Sequence, residues 1–220
     1  MKKRGLLVLI ALGVVITGVL TGRLLWRPNP SELVGLGLER LNGAASFRFS
    51  VTQHQWVEGK DRLLTQIQGE KDGGNTRIQG QLVGGEVEMI HMGDSLYIKD
   101  PLNKKWSRFT STPAAQEVFL AELNPLSSLQ FKELGEVVLS GQEKVNGEKV
   151  WVLKFKPSVQ NQIMEEFWED FAYTLYVRKS DETLVKAYLQ ARSKAKAELM
   201  SMTIEFRDIG KKISILAPSI

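Results

Sequence analysis

The sequence Ser46-Phe47-Arg48-Phe49-Ser50-Val51-Thr52-Gln53 decides the fold. Its apolar side chains alternate with polar ones, which is the period of a β-strand with one face in a core and the other in water. A strand of this kind needs neighbours that bury the same face. The stretch therefore predicts a sheet with one apolar face.

Turn sequences recur along the rest of the chain at intervals of about 10–14 residues. They include Glu58-Gly59, Asp72-Gly73, Gly84-Gly85, Gly93-Asp94 and Asn146-Gly147. Such pairs suit hairpin turns because Gly, Asn and Asp tolerate positive φ. Strand-like runs lie between the turns, for example over 86–92, 95–99, 149–155, 173–178 and 203–206. Strands do not alternate regularly with helices, so we expect an antiparallel sheet.

Helices are predicted at three places. Ser31 is placed to cap a helix that runs to about Leu41. A second helical segment starts at Thr112-Pro113 and restarts at Asn124-Pro125, because Pro suits the first helical position after a capping residue. A third opens at Ser158 and ends in an acidic group, interpreted either as a solvated tip or as a contact surface for a partner: Glu165, Glu166, Glu169 and Asp170.

Residues 1–30 form a separate amino-terminal unit. Lys2, Lys3 and Arg4 precede an uncharged run over about 6–22, which is typical of an export signal or a membrane anchor. The run reaches about 26 Å as a helix, against a hydrocarbon core of about 30 Å. Because no Ala-x-Ala site closes it, a retained transmembrane anchor is favoured over a cleaved signal, which would give a secreted protein. In both cases residues 31–220 are expected to form one domain outside the cytoplasm.

The net charge of +4 belongs to this amino-terminal unit. The chain has 29 basic and 25 acidic residues, and residues 1–30 hold no acidic residue. The basic residues of the unit are Lys2, Lys3, Arg4, Arg23 and Arg27. The domain that follows therefore carries 24 basic and 25 acidic residues. Without a basic patch in the folded part, nucleic-acid binding is excluded.

The sequence offers no candidate catalytic or metal site. The two histidines, His54 and His91, are not spaced as metal ligands, and the chain has no cysteine. No Gly-x-Ser-x-Gly nucleophile motif occurs. Gly35-Leu36-Gly37 lacks the third glycine of a dinucleotide loop and lies in a predicted helix. We therefore expect neither an enzyme nor a bound cofactor.

Large apolar side chains are abundant on the predicted strands and helices. A sheet that curls into an incomplete barrel, with helices over its mouth, leaves an apolar cavity inside. Methionines such as Met89 suit a cavity wall because they repack around variable ligands. The same pattern also fits a filled core, and the pattern of residues alone leaves both interpretations open.

Three stretches resemble one superfamily. The helix followed by Ala45–Gln53 looks like the opening of the LolA-like lipoprotein carriers. Gly93–Pro101, followed by Lys105-Trp106, resembles a strand–turn–strand of the LppX/LprG-like branch of exported lipid-binding proteins. The ending, from Phe206 to Pro218, is similar to the last hairpin of that branch. Members of the branch are usually lipid-anchored through a cysteine, which is absent here, and the carriers themselves are soluble shuttles.

The resemblance implies an α+β fold, a curved antiparallel half-barrel of about 10–11 strands with helices covering its concave face. It also implies a cavity for acyl chains. The predicted function is a membrane-anchored, extracytoplasmic binding or carrier protein for lipids or lipoproteins, without catalytic activity. The alternative is a cell-envelope interaction or sensor module with a filled interior, which regulates a protein partner.

Strand parity selects the residues expected to line the cavity. They are Phe47, Phe49, Val51, Met89, Leu96, Ile98, Val118, Phe119, Trp151, Leu153, Phe155, Ile163, Tyr173, Leu175 and Val177. This selection depends on the strand register, because one bulge inverts the two faces.

Overall fold

The computed structural model describes residues 28–110 and 124–220. It contains helices α1 (Pro30–Asn42) and α2 (Gln162–Phe167) and a 3₁₀ turn over Ser127–Leu129. The strands are β1 (Ser46–Val57), β2 (Lys60–Asp72), β3 (Asn75–Leu82), β4 (Gly85–Met92), β5 (Ser95–Lys99), β6 (Trp106–Thr110), β7 (Phe131–Glu133), β8 (Val138–Val145), β9 (Glu148–Phe155), β10 (Ser158–Val159), β11 (Trp168–Arg178), β12 (Leu184–Ser193) and β13 (Leu199–Arg207).

The predicted membrane run at about 6–22 and the helical segment from Thr112 to 123 lie outside the described residues. Over 28–110 and 124–220, no helix has the length and apolar character needed to cross a bilayer.

Eleven of the described strands form one sheet, in the order β6-β5-β4-β3-β2-β1-β13-β12-β11-β9-β8. All pairings in it are antiparallel, which confirms the prediction. The sheet is curved and open, consistent with a half-barrel. The sequence-distant strands β1 and β13 pair at its centre, so strands from the two ends of the domain meet in the middle of the sheet. The small strands β7 and β10 form a separate pair.

Tight hairpin turns separate most of these strands. Asn146 and Gly147 connect β8 to β9 with φ of 50° and 84°, as the Asn-Gly pair predicts. The turn after β3 differs from its prediction by one residue. It is formed by Val83 (φ 49°) and Gly84 (φ 79°), while Gly85 opens β4.

Helix α1 begins two residues earlier than a cap at Ser31 predicts. Pro30 is its first residue and Asn29 its cap, with Asn29 Oδ1 accepting a hydrogen bond from the Ser31 N–H at 3.1 Å. Ser31 is therefore not the cap, because the proline occupies the first helical position and the capping position precedes it.

The segment after Ser158 is less helical than predicted. Ser158 and Val159 form β10, and α2 starts only after Asn161, which caps it through the Met164 N–H. The helix ends at Phe167, because the chain turns into β11 at Trp168. Asn124-Pro125 is likewise followed by a 3₁₀ turn rather than by an α-helix.

The acidic group of this segment is divided between two elements. Glu165 lies in α2 and pairs with Lys132 at 2.7 Å. Glu169 and Asp170 lie in β11, and both contact Arg192, at 3.1 and 2.7 Å. The two basic residues offset two of the four negative charges that a contact surface for a basic partner would use.

The chain after β13 is not a strand, so the hairpin expected at the end is wrong. Ser46 Oγ donates a hydrogen bond to the Lys211 carbonyl at 2.6 Å, which fixes the start of this segment. Ile213 and Ile215 are then buried against Ile90 and Tyr97. They form a small second core on the face of the sheet opposite to the main one.

Candidate functional site

One face of the sheet, here called the inner face, carries an unbroken row of apolar residues across nine adjacent strands. Paired residues of antiparallel strands point to the same face, so the register defines the row directly. From β8 to β4 it consists of Leu139, Leu153, Leu175, Ala187, Ile204, Val51, Ile67, Gly80 and Val87. No polar side chain interrupts this row.

A second row on the same face runs from β13 to β5. Its residues are Phe206, Phe49, Gly69, Ile78, Met89 and Ile98. Gly69 leaves room for a neighbour, since a Cβ at this position would lie 2.1 Å from the Phe49 ring. The aromatic ring thus occupies space that the missing side chain provides.

The inner face contains every predicted lining residue whose side chain the structure describes. They belong to the main core or pack against it: Phe47, Phe49, Val51, Met89, Leu96, Ile98, Trp151, Leu153, Phe155, Tyr173, Leu175 and Val177. Val118 and Phe119 lie outside the described residues, and Ile163 lies in α2 but its side chain is not described. Contact of any of these residues with a ligand stays a prediction.

Helix α1 covers part of the inner face and packs it tightly. Its residues Leu33, Val34 and Leu41 are at most 2% exposed and join the main core. Gly37 allows the close approach to the sheet, because a Cβ there would lie 3.1 Å from Val177 Cγ2. This end of the inner face, over β11 and β12, is filled by protein side chains.

An aromatic cluster lies next to this filled part. The Phe131 ring contacts the rings of Phe155 and Tyr173 edge-on, at 5.3 and 5.0 Å between centroids. The Tyr173 hydroxyl donates a hydrogen bond to the Ser128 carbonyl at 2.8 Å. Burial raises the pKa of Tyr173 well above its usual value. Its role in this arrangement is to hold the 3₁₀ turn against the sheet.

The inner face ends in polar groups that the sequence-based selection missed. Gln53 of β1 pairs with Met202 of β13 on one side and with Thr65 of β2 on the other. Thr65 is buried, and its hydroxyl donates a hydrogen bond to Gln53 Oε1 at 3.4 Å. One step further along β1, Gln55 Nε2 donates to Glu198 Oε2 at 2.6 Å. The parity of β1 places Gln53 and Gln55 on the same face as Val51. Extending the two-residue period of the strand beyond Val51 would have assigned both glutamines to the inner face from the sequence.

The histidines do not form a site. His54 Nδ1 lies 2.9 Å from Asp61 Oδ1, and the ring stacks on Trp56 at the end of the β1–β2 hairpin. His91 is buried within β4. Among the described residues, no group of three or more acidic, histidine or cysteine side chains is placed to hold a metal ion.

Comparison with solved structures identifies this architecture. The lipoprotein LppX of Mycobacterium tuberculosis is 13% identical, with 84% of this chain and 99% of that chain covered at a TM-score of 0.58. LprF of Mycobacterium bovis is 11% identical, with 88% and 100% covered at a TM-score of 0.60. The chain has the LppX-like fold.

A LolA superfamily protein of Nitrosomonas europaea is more distant, with 13% identity, 86% and 96% covered and a TM-score of 0.35. No family model and no curated protein matches the sequence. The LppX and LprF structures confirm, for the fold, the resemblance to the LppX/LprG-like branch predicted from three short stretches. At these identities the likeness extends to the fold alone.

Proposed function

We propose that this chain is a membrane-anchored, extracytoplasmic protein that binds lipids or the acyl chains of lipoproteins and has no catalytic activity. The observation that carries the proposal is the row of apolar residues across nine strands of the inner face. The LppX-like fold supports it, because the resemblance implies a cavity for acyl chains.

Affinity in such a site comes from buried area. Each methylene group that leaves water contributes about 0.8 kcal/mol, so about ten methylenes contribute roughly 8 kcal/mol before the cost of ordering the chain. Because the row offers no hydrogen-bonding side chain, it selects for chain length and shape rather than for polar groups.

The polar end of the inner face suits a lipid head group. Gln53, Thr65, Gln55 and Glu198 lie beside the apolar rows, beyond Val51 along β1. A ligand whose chain crosses the rows in the strand direction would therefore bring its polar end to them. Amide and carboxylate groups bind hydroxyl and amine groups of a head group by hydrogen bonds. The carboxylate of Glu198, with Lys196 Nζ 3.8 Å away, favours a neutral head group over an anionic one.

Anchoring restricts how the protein works. The apolar run at about 6–22 ends shortly before α1, which begins at Pro30. Lys2, Lys3 and Arg4 before the run favour a cytoplasmic amino terminus. A domain held so close to the bilayer takes a lipid from the outer leaflet and passes it to a neighbour in the same membrane, rather than crossing an aqueous gap.

Native mass spectrometry of the full chain, extracted in a polyoxyethylene detergent, tests the proposal. After the micelle is removed in the gas phase, we expect a bound species with the mass of one lipid, and displacement of a fluorescent fatty acid by the same lipid in solution. A chain that carries no lipid mass and does not bind the fatty acid would contradict the proposal.

The alternative is an envelope module that binds a protein partner. The tight packing under α1 favours it, because Leu153, Leu175, Leu184 and Leu189 have no exposed surface at all. In that case the inner face is a core and not a site. The same mass spectrum distinguishes the two proposals, since a filled interior carries no lipid.

A further inference from the structure

The opposite, outer face of the sheet carries a row of a different kind. On six adjacent strands, from β11 to β3, the register aligns uncharged side chains with hydroxyl or amide groups: Thr174, Tyr188, Thr203, Thr52, Gln66 and Gln81. A shorter row beside it contains Ser50, Gln68 and Gln79. We call these residues together the outer polar rows.

The side chains of the outer polar rows are available for a ligand. Gln66, Gln68, Gln79 and Gln81 are exposed, and the Thr, Ser and Tyr members are half-buried. None of them makes a side-chain hydrogen bond to another residue within 28–110 or 124–220. The amide groups of the four glutamines are therefore accessible to a ligand.

At the β3 end of the rows, the charged side chains are neutralised by one another. Glu88 contacts both Arg77 and Lys99 at 2.7 Å. Glu86 contacts Lys104 at 2.6 Å, and Glu70 contacts Arg48 at 2.7 Å. Lys186 likewise contacts Glu205 at 3.0 Å, whereas Lys154, beside Thr174 at the other end, makes no ion pair with another described residue. Between the ion pairs the rows offer neutral hydrogen-bonding groups, which favours an uncharged polar ligand there.

Clefts lie at both ends of the rows. At one end, Gln66, Gln68, Gln79 and Gln81 line a cleft of about 490 Å³ that is bounded by the loop from Asp100 to Lys104. At the other end, Thr174, Tyr188, Gln190 and Lys154 line a cleft of about 610 Å³. The rows therefore join two depressions instead of crossing a flat surface.

We propose that the outer polar rows bind a linear, uncharged polysaccharide that runs across the strands. Neighbouring strands lie about 4.8 Å apart, so six of them present one hydrogen-bonding group per step over about 24 Å. An uncharged linear polysaccharide repeats its hydroxyl or acetamido groups at a comparable interval. Amide and hydroxyl side chains both donate to and accept from such groups, and the Tyr188 ring supplies an apolar surface for a sugar face.

A titration of the full chain with two soluble hexasaccharides tests the proposal. Chitohexaose and cellohexaose are followed by ligand-observed saturation-transfer NMR in a polyoxyethylene detergent, since a maltoside detergent would compete. We expect saturable binding of at least one of them. The double variant Gln66→Ala/Gln81→Ala should weaken it about tenfold, because two neighbouring hydrogen-bonding groups are lost.

The matched control is Gln130→Ala/Gln160→Ala. These glutamines are also exposed but lie next to β7 and β10, away from the rows, so binding should change less than twofold. Lipid binding by Gln66→Ala/Gln81→Ala should equal that of the unmodified chain, which separates this proposal from the one for the inner face. Absence of binding to both saccharides, or equal weakening in the two double variants, would overturn it.

Discussion

The two faces of the central sheet are built by alternate residues of the same strands, yet they differ completely in chemistry. On β13, Ile204 is fully buried in the inner row, while its neighbour Thr203 belongs to the outer polar rows. The inner row is apolar across nine strands, and the outer row is polar and uncharged across six. A single strand thus contributes to two surfaces of different chemistry.

The two faces would select a ligand in different ways. An apolar face binds by area and tolerates many ligands of similar shape. A face of directed donors and acceptors requires a ligand with matching groups, because unpaired polar atoms are costly once they leave water. We therefore expect substitutions on the inner face to change stability and lipid binding together, and substitutions on the outer face to leave both nearly unchanged.

The largest effect is expected for Ile204→Arg compared with Thr203→Arg. Ile204 has no exposed surface, so an arginine there buries a charge without a partner and should prevent folding or cost several kcal/mol. Thr203 is half-buried on the outer face between Tyr188 and Thr52, where an arginine reaches water. Chemical denaturation of both variants measures the difference. Equal loss of stability in the two would show that the faces are wrongly assigned.

A smaller effect is expected for Gly80→Ala in the inner row. Gly80 has φ of 145°, and a Cβ there would lie 2.2 Å from the Gln66 carbonyl oxygen. Gly141 has a similar φ of 151° but no atom within 4 Å of such a Cβ. Both alanine variants therefore have backbone strain, but only the alanine at position 80 also clashes with a neighbouring atom. The free energy of unfolding should fall by about 1–3 kcal/mol more for Gly80→Ala than for Gly141→Ala.

The next largest loss of stability is expected for Tyr173→Phe. The matched control is Tyr176→Phe, because Tyr176 lies on the opposite face of β11. Removing the Tyr173 hydroxyl leaves the Ser128 carbonyl without its buried donor and should cost about 1–2 kcal/mol. Tyr176 is half-buried and makes no side-chain hydrogen bond to another described residue, so its loss should cost less than about 0.5 kcal/mol. Thermal unfolding monitored by circular dichroism compares the two, and a larger effect at Tyr176 would contradict the assignment.

The smallest effect is expected for Glu88→Gln, on the stability that the protein loses at acid pH. Partial burial alone would raise the pKa of Glu88, but hydrogen bonds from Lys99 and Arg77 outweigh it and lower the pKa below its usual 4.5. A lowered pKa in the folded state contributes stability above pH 4.5, which is lost as the pH falls through the folded-state value. Glu88→Gln should therefore reduce the loss of stability on acidification below pH 4.5. Glu136→Gln serves as the control, because Glu136 is exposed and makes no ion pair with another described residue. An identical response of the two variants would contradict the expectation.

The strands were predictable because their signal is local. The alternation over Ser46–Gln53 and the turn at Asn146-Gly147 determine strand and hairpin without reference to the rest of the chain. Strand parity placed Leu153 and Leu175 on one face for the same reason, and the register pairs them directly. No bulge intervenes between these positions, so the alternation remained valid.

The remaining features depend on tertiary contacts that no local pattern contains. Ser158 pairs with β7 instead of starting a helix, since Glu133 is brought beside it by the fold. Ile213 and Ile215 lie on the outer face because Ile90 and Tyr97 leave an apolar area there. The outer polar rows arise only when six strands are in register, so no single stretch of sequence reveals them.

The most direct test of the inner face as a lipid site is photo-crosslinking of the full chain in cells that take up a diazirine-bearing fatty acid. Fragment mass spectra locate each adduct to a residue, and labelling within 6–22 serves as the control for contact with the bilayer. We predict adducts on half-buried inner residues such as Val87 and Met202, and none on their outer neighbours Glu88 and Thr203. Adducts on the outer residues, or labelling confined to 6–22, would contradict the account.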